Sequence, residues 1–274
     1  MRRRRTLREG ALFEGIGLHT GSSVSVRIEP TGMSGVFFRF GDALYPVREA
    51  SVPEVDRCTT LLFPGGERVQ TVEHLLGAVV GMRLDDVVIE TAGEELPILD
   101  GSALPFAERI AEIGFVENPD PMRERFLLSP VAVEEKGASC VALPSDSLRV
   151  TYVVDYENTS VGPETVRCVV TDESFLDDLA PARTFVFLSE VEALRRNGLA
   201  RGGTLDNALV IGENGPVNEG GFRIANERAA HKALDLLGDL ALTGFRVNAH
   251  FICICGGHGL HTRLALRLRG LFPA

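Results

Sequence analysis

Segments with strand-like and helix-like patterns occur along this chain in two groups, and a stretch containing two prolines separates the groups. The strand-like runs are residues 23–28, 35–40 and 86–91 before that stretch, and residues 126–134, 148–155 and 167–171 after it. The stretch itself, residues 117–124, has the mixed charges and prolines of a linker. Strands grouped with helices, twice over, predict an α+β protein with two domains, residues 1–120 and residues 121–274.

Three helices can be placed from the spacing of apolar residues. After Gln70, apolar residues recur at the i, i+3, i+4 spacing of one helical face: Val72, Leu75, Leu76, Val79 and Val80. Thr71 is the expected N-cap of this helix. Residues 189–192 have capping-box spacing, and Gly198 is expected to close the helix that they begin. The third helix covers about residues 225–242, and a hairpin is expected near residues 208–215.

Charge and cysteine content exclude some classes of protein. A formal net charge of −10 argues against a general nucleic-acid-binding surface. Five cysteines, an odd number in a chain too large to need disulfides, favour free thiols and a cytoplasmic location. We expect no transmembrane segment, because no run approaches the roughly 20 apolar residues of a span. The arginine-rich residues 1–5 are interpreted as a solvated N-terminus, and a transient hold on the inner membrane surface stays open as the alternative.

The third helix carries a candidate metal-binding stripe. His231, Asp235 and Asp239 are spaced four apart, so they share one helical face opposite the apolar one. A histidine and a carboxylate at i, i+4 can point at one ion, and nitrogen and oxygen ligands suit zinc. An ordinary solvated helix face explains the same pattern, and from this segment alone it is the better interpretation.

The first helix carries a second candidate. His74 points away from the apolar stripe, and small residues, Gly77, Ala78 and Gly81, flank it. They leave room beside His74 for another backbone, a metal or a substrate. Each glycine costs a helix about 1 kcal/mol relative to alanine, so two of them need a reason, and close helix packing alone is an equally good one. Glu73 lies beside His74, near the edge of the apolar stripe.

A third candidate, His258, lies in a glycine-rich turn between a buried-looking strand and an apolar helical pattern. Such a turn can present a side chain into a cleft, although a loop histidine is more often incidental. Together the three segments offer what metal-assisted amide hydrolysis needs: three protein ligands with one open metal position, a base and an acid. Glu73 and His258 are the candidates for base and acid.

The motifs around these residues resemble those of the UDP-3-O-acyl-N-acetylglucosamine deacetylases, in the same order along the chain. They are GIGLHTG from Gly15, TVEHLLGAVVGM from Thr71, ELPILDGSALPF from Glu95, ARTFVF from Ala182, RGGTLDNALV from Arg201, HKALDLLGDL from His231 and GGHGL from Gly256. The resemblance extends from about Thr6 to Leu266. It implies two similarly built α+β domains packed helix layer to helix layer in a sandwich, with an acyl-binding passage formed by an insert in the second domain.

The resemblance also implies roles for single residues. One zinc ion per chain is expected on His74, His231 and Asp235. Glu73 is expected to act as the general base, and His258 as the acid or cationic partner.

Further roles follow from the same resemblance. Asp239 is expected to hold the imidazole of His258 in orientation, and Thr184 corresponds to a hydroxyl that stabilises the developing oxyanion. The residues that fall where the family contacts the sugar, diphosphate or acyl group are Lys232, Phe185, Gly203 and His19.

The expected activity is zinc-dependent hydrolysis of the N-acetyl group of UDP-3-O-acyl-N-acetylglucosamine, the committed step of lipid A biosynthesis, by a monomer. Two alternatives stay open: a zinc amidohydrolase that acts on another acylated sugar nucleotide, and a non-catalytic relative that binds a lipid or nucleotide sugar. Two segments depart from the family pattern. His261 stands where asparagine is frequent and offers a stray ligand, and Cys253 and Cys255 end a strand where a more polar residue is common.

Overall fold

The computed structural model describes residues 3–53, 57–121, 124–156 and 161–272. The described part contains 18 strands and six α-helices, besides three short 3₁₀ or π helices, in two halves that repeat one order of elements. None of the helices in these ranges has both the length and the apolar character that crossing a membrane requires.

The first half is built around a five-stranded sheet. The strands of this half are β1 (Arg3–Leu7), β2 (Ala11–Ile16), β3 (Ser23–Pro30), β4 (Val36–Phe40), β5 (Ala43–Pro46), β6 (Thr60–Leu62), β7 (Arg68–Gln70), β8 (Val87–Thr91) and β9 (Phe115–Pro121). Its helices are α1 (Glu73–Gly81) and α2 (Leu104–Ile113). The sheet order is β2-β3-β8-β4-β5, and the central strand β8 is antiparallel to β3 and parallel to β4.

The second half is built around a sheet of the same kind. Its strands are β10 (Arg125–Phe126), β11 (Val131–Glu135), β12 (Ala138–Pro144), β13 (Arg149–Val154), β14 (Glu164–Val169), β15 (Phe185–Phe187), β16 (Leu209–Gly212), β17 (Gly215–Pro216) and β18 (Val247–Ile254). Its helices are α3 (Asp172–Ser174), α4 (Leu188–Arg196), α5 (Glu227–Leu240) and α6 (His258–Leu271). The main order is β11-β12-β18-β13-β14, with β18 antiparallel to β12 and parallel to β13.

The two halves therefore share one topology. In each, two hairpins come first, and a helix then leads the chain to a central strand that lies between the hairpins. A parallel neighbour needs such a crossover, because a tight turn can join only antiparallel strands. The short sheet β15-β16-β17 is inserted before α5, and its β16–β17 pair is the expected hairpin. The α+β class and the similar construction of the halves are confirmed.

The equivalent helices α1 and α5 pack directly against each other, and glycines allow the approach. A Cβ added at Gly238 would overlap the backbone carbonyl of Glu73, and one at Gly77 would lie 3.2 Å from the carbonyl oxygen of Leu234. Helix packing is thus a sufficient reason for Gly77, one of the two interpretations that the sequence left open. The contact also brings the first turn of α1 against the middle of α5.

Some local predictions were wrong. Residues 117–121 of the expected linker belong to β9, which pairs antiparallel with β1, whereas residues 122 and 123 lie outside the described ranges. Thr71 has a φ of 58° and donates to Glu95, so Val72 takes the N-cap position of α1 without a side-chain bond. Ser189 lies inside α4, although Gly198 follows the C-cap as expected, with a φ of 76°. The domain limits at residues 120 and 121 stay a prediction.

The expectation that all cysteines are free thiols is wrong for two of them. A disulfide joins Cys140 to Cys253, while Cys58, Cys168 and Cys255 are free thiols, as predicted. The paired residues lie 113 apart in the sequence and face each other across β12 and β18. Only the register of these strands brings the two sulfurs together, so cysteine number and spacing could not reveal the pair.

Candidate metal centre and active site

Three side chains converge where α1 meets α5. One ligand atom from each of His74, His231 and Asp235 lies within 4.8 Å of those of the other two, and all three residues are buried. Nε2 of His231 lies 3.4 Å from Oδ1 of Asp235, and Nε2 of His74 lies 3.9 Å from the same oxygen. The helical i, i+4 spacing supplies two members of this set, and the glycine-mediated helix contact supplies the third.

The hydrogen bonds of this cluster leave its facing atoms ready for a cation. Nδ1 of His231 donates to the carbonyl oxygen of Ala182 at 3.0 Å. The proton is therefore on Nδ1, and the lone pair of Nε2 is available to a metal. Oδ2 of Asp235 accepts from Nζ of Lys232 at 2.8 Å. Oδ1 of Asp235 is buried and accepts no hydrogen bond from the described residues. Leaving such an oxygen unsatisfied is costly, and a metal ion bound here would satisfy it.

The protonation states match this assignment. Burial lowers the pKa of His74 to about 3, and it lowers the pKa of His231 as well, so both imidazoles are neutral. Burial acts to raise the pKa of Asp235, but electrostatic interaction with the imidazole of His231 and the positive charges of Lys232 and His258 hold it well below its usual value. Neutral imidazole and ionised carboxylate are the forms that bind metal. The residues present therefore fit a metal centre with two nitrogens and one oxygen.

Glu73 and His258 lie beside this cluster. Nε2 of His258 is 3.8 Å from Oε1 of Glu73 and 3.7 Å from Oδ2 of Asp235. Burial, together with the charges of Asp235 and Asp239, raises the pKa of Glu73 to about 7 against the opposing effect of His258. Burial would lower the pKa of His258, but Asp235, Asp239 and Glu73 together raise it to about 9. A potential proton acceptor and a cationic imidazole thus face the same space.

Thr59 connects Glu73 with His258, although no sequence motif points to it. Its backbone N–H donates to Oε2 of Glu73 at 3.1 Å, and its hydroxyl donates to Oδ1 of Asp239 at 2.5 Å. The other oxygen of Asp239 lies 3.2 Å from Nδ1 of His258 and 3.1 Å from Nδ1 of His261. Asp239 thus lies behind His258, where an orienting carboxylate belongs. No periodic pattern marks Thr59, so only the folded chain reveals it.

Three substrate-side candidates lie along one border of the cluster. The ring centroid of Phe185 is 6.3 Å from that of His231, and Nζ of Lys232 is 5.7 Å from the Phe185 centroid. Thr184 precedes Phe185 and is half-buried, and its N–H donates to the carbonyl oxygen of Gly101 at 2.7 Å. The backbone of Thr184 is therefore anchored next to the aromatic border of the site.

The last two candidates, His19 and Gly203, lie in loops that pack on each other. The N–H of Ala200 points to Nδ1 of His19 at 3.5 Å, and Gly203 donates to the carbonyl oxygen of Ala200 at 3.2 Å. Glu95 accepts from the backbone N–H of His19 at 2.8 Å and so holds the first loop. Burial lowers the pKa of His19; Glu95 opposes this shift and the charge of His258 adds to it. His19 therefore lies within electrostatic reach of His258.

Comparisons with known proteins find sequence similarity over nearly the whole chain. The sequence model of a family described as UDP-3-O-acyl N-acetylglycosamine deacetylase matches residues 4–269. A curated protein of Trichormus variabilis (strain ATCC 29413 / PCC 7937), named UDP-3-O-acyl-N-acetylglucosamine deacetylase, is 40% identical over 97% of this chain and 98% of its own length. A protein of the same name in Oleidesulfovibrio alaskensis is 38% identical over 93% of this chain and 85% of its own length. Another in Thermosynechococcus vestitus is 40% identical over 95% of this chain and 92% of its own length.

Proposed function

Because this chain belongs to the UDP-3-O-acyl N-acetylglycosamine deacetylase family, we propose that it hydrolyses the 2-acetamido group of UDP-3-O-acyl-N-acetylglucosamine. The products are acetate and the free amine, UDP-3-O-acyl-glucosamine, and the reaction is the committed step of lipid A biosynthesis. The observation that carries the proposal is the buried convergence of three metal-type ligands with Glu73 and His258. A protein that only binds a sugar nucleotide has no need for this combination.

We propose zinc as the metal, one ion per chain, held by His74, His231 and Asp235. Two imidazoles and one carboxylate are a set that catalytic zinc sites use, with a fourth position open. Zinc bound there would polarise the acetamido carbonyl and lower the pKa of a coordinated water from about 15.7 toward 7.

The chain's own residues supply the proton transfers. Glu73 accepts the proton of the attacking water, a role that its raised pKa and its anchoring by Thr59 support. His258 donates a proton to the amine as it leaves, because its imidazole is cationic and Asp239 fixes Nδ1, leaving Nε2 toward the reacting groups. The hydroxyl of Thr184 stabilises the negative charge that develops on the carbonyl oxygen.

Contacts to the rest of the substrate are proposed for four residues. Lys232 and Phe185 border the metal cluster, and His19 and Gly203 lie on the two packed loops. The acyl chain is expected along the inserted sheet β15-β16-β17 and α4, where Leu188 and Val217 are exposed. We also propose that the protein acts as a monomer, and a sugar nucleotide as substrate supports a cytoplasmic location.

The test combines metal analysis with acetate release from UDP-3-O-acyl-N-acetylglucosamine by the purified, zinc-loaded protein. Each buried methylene of the acyl chain contributes about 0.8 kcal/mol, so kcat/KM should fall by orders of magnitude on UDP-N-acetylglucosamine without the chain. Similar rates on both compounds would favour the alternative of an amidohydrolase for another sugar nucleotide. Binding without any acetate release by the zinc-loaded protein would favour a non-catalytic relative.

A further inference from the structure

Behind the orienting carboxylate Asp239 lies a second imidazole, that of His261. His261 and Tyr152 are both 0% exposed. Nδ1 of His261 is 3.1 Å from Oδ2 of Asp239, and Nε2 is 2.7 Å from the hydroxyl of Tyr152. Tyr152 is on β13, Asp239 on α5 and His261 on the first turns of α6. A row of hydrogen bonds thus crosses three elements of the second half and ends at His258.

The direction of each hydrogen bond in this row follows from its acceptors. Asp239 is ionised, since hydrogen bonds and charge from His258 lower its pKa although burial acts to raise it, and a carboxylate only accepts. Nδ1 of His261 must therefore donate to Asp239. Burial lowers the pKa of His261, so the ring is neutral and Nε2 has no proton. Nε2 then accepts the hydroxyl proton of Tyr152, and every polar group in the row is satisfied.

Asp239 is held from three directions as a result. Thr59 donates to Oδ1, and the rings of His258 and His261 donate to Oδ2. The terminal torsion of an aspartate is otherwise broad, so a carboxylate bonded only to His258 could rotate together with that ring. His258 and His261 lie one helical turn apart at the start of α6, and both reach the same oxygen.

The surroundings of His261 argue against its acting as a metal ligand. One of its possible metal-binding groups includes Cys140 and Cys253, but these two sulfurs are joined in a disulfide. Both ring nitrogens of His261 are already hydrogen-bonded. A Cβ added at Gly256 would lie 2.9 Å from Sγ of Cys140, 2.9 Å from the Tyr152 hydroxyl and 3.4 Å from Nε2 of His261. The space around the ring is filled.

We propose that Tyr152 and His261 are positioning residues of the reaction, which hold Asp239 so that it presents His258 to the leaving amine. The inference rests on the proposed function for its kinetic consequence, but its geometry does not depend on that function. Neither residue touches substrate, so their loss should change kcat and leave KM nearly constant. Small misplacements of a catalytic group can cost up to about 100-fold in rate, and one lost neutral hydrogen bond corresponds to roughly five- to tenfold.

The first test is Tyr152→Phe, which removes one oxygen and keeps the ring. In the zinc-loaded enzyme we expect kcat to fall about five- to tenfold, with KM within twofold and zinc content unchanged. The matched control is Tyr45→Phe, which removes a hydroxyl bonded to Glu67 at 3.3 Å, remote from the row, and should leave kcat unchanged. Equal kcat in Tyr152→Phe and wild type would overturn the proposal.

A second pair of variants tests His261 itself. Asparagine can still donate to Asp239 but cannot also reach Tyr152, whereas leucine can do neither. We expect kcat to decrease in the order wild type, His261→Asn, His261→Leu, with zinc content constant. An equal kcat in His261→Asn and His261→Leu would show that His261 contributes only by packing, and it would contradict the positioning role.

A spectroscopic measurement keeps the proposal testable without turnover. Ring N–H protons that are hydrogen-bonded to a buried carboxylate exchange slowly, so proton NMR of the wild-type protein should show two such signals, from His258 and His261. In Tyr152→Phe both should shift or broaden, and in His261→Asn one should vanish while the other broadens. An unchanged His258 signal in both variants would contradict the proposal. A wild type that shows both signals but releases no acetate would instead contradict the proposed function.

Discussion

Burial and the carboxylates Asp235 and Asp239 all raise the pKa of Glu73. On the pKa of His258 they act in opposite directions, because burial lowers it and the carboxylates raise it. For Glu73, burial is the largest cause and the carboxylates add to it, so the pKa rises to about 7. For His258, burial is again the largest single cause but works downward, and the carboxylates with Glu73 overcome it, to about 9. One arrangement of charge thus keeps the pKa of a carboxyl group near neutral pH and keeps the imidazole beside it cationic. Amide hydrolysis requires this combination of a base and an acid.

At the scale of the residue, the acid and base can be separated from the metal ligands. We expect Glu73→Gln and His258→Gln each to retain zinc and to lose about 100-fold or more in kcat, the usual scale for a catalytic acid or base. Elemental analysis and acetate release measure the two effects. Glu90→Gln and His250→Gln, on strands β8 and β18, are the controls and should keep wild-type activity. Retained activity in His258→Gln would assign the proton donor to another group.

Variants of the proposed metal ligands, in contrast, should lose zinc. Alanine at His74, His231 or Asp235 should weaken zinc binding by more than about 100-fold, because even outer partners of a metal site contribute up to that factor. Competition with a chelator of known affinity measures the change, and His250→Ala is the control. Full zinc occupancy in the double variant His74→Ala, His231→Ala would place the metal elsewhere.

At the scale of the element, the contact of α1 with α5 decides where the site residues meet. Glycine to alanine in a helix normally stabilises by about 1 kcal/mol. At Gly238 we expect the reverse, a loss of about 1–3 kcal/mol in the free energy of unfolding, because the added Cβ would overlap the carbonyl of Glu73. Chemical denaturation measures this change. The control is Gly270→Ala in α6, where a Cβ meets nothing within 4 Å and stability should rise.

The same variant should also lower activity, because any separation of the helices moves His74 away from His231 and Asp235. Zinc affinity should fall together with stability in Gly238→Ala and not in Gly270→Ala. If Gly238→Ala were as stable as the wild type, the close helix contact would not hold in solution.

At the scale of the whole molecule, an ion cluster joins the two halves. Asp172 at the start of α3 accepts from Nη1 of Arg5 at 2.7 Å and from Nε of Arg83 at 2.5 Å, and both arginines belong to the first half. Burial acts to raise the pKa of Asp172, but these hydrogen bonds lower it below its usual value. A lowered carboxyl pKa contributes stability above the unfolded pKa of about 4, and this contribution disappears as pH falls through the folded value.

We therefore expect Asp172→Asn to reduce stability at neutral pH by no more than about 1 kcal/mol, because the cluster is partly exposed and screened. Part of the loss of wild-type stability below about pH 4 should be missing in the variant. Thermal unfolding between acid and neutral pH measures both effects. Glu112→Gln, at a carboxyl group with 70% exposure, is the control and should follow the wild-type curve. Parallel curves for Asp172→Asn and wild type would show that the cluster does not couple the halves.

Several features were accessible from the sequence alone because they are local. The apolar period fixes α1 and α5 to within a few residues, and the four-residue spacing of His231, Asp235 and Asp239 fixes their common face, since both depend only on the geometry of one helix. The resemblance of the motifs then indicated the residues of the site, and the structure brings Glu73, His74 and His258 together with that face.

Tertiary structure alone decided the features that join distant parts of the chain. Thr59 meets Asp239 across 180 residues and Tyr152 meets His261 across 109, and no period or motif connects such positions. The repeated topology of the two halves leaves no repeat in residue identities, because a sheet order constrains burial and direction rather than particular side chains. Likewise, the pairing of Cys140 with Cys253 depends on the register of β12 against β18. Packing determined which side chains surround the helical stripe, and a local pattern cannot specify its neighbours.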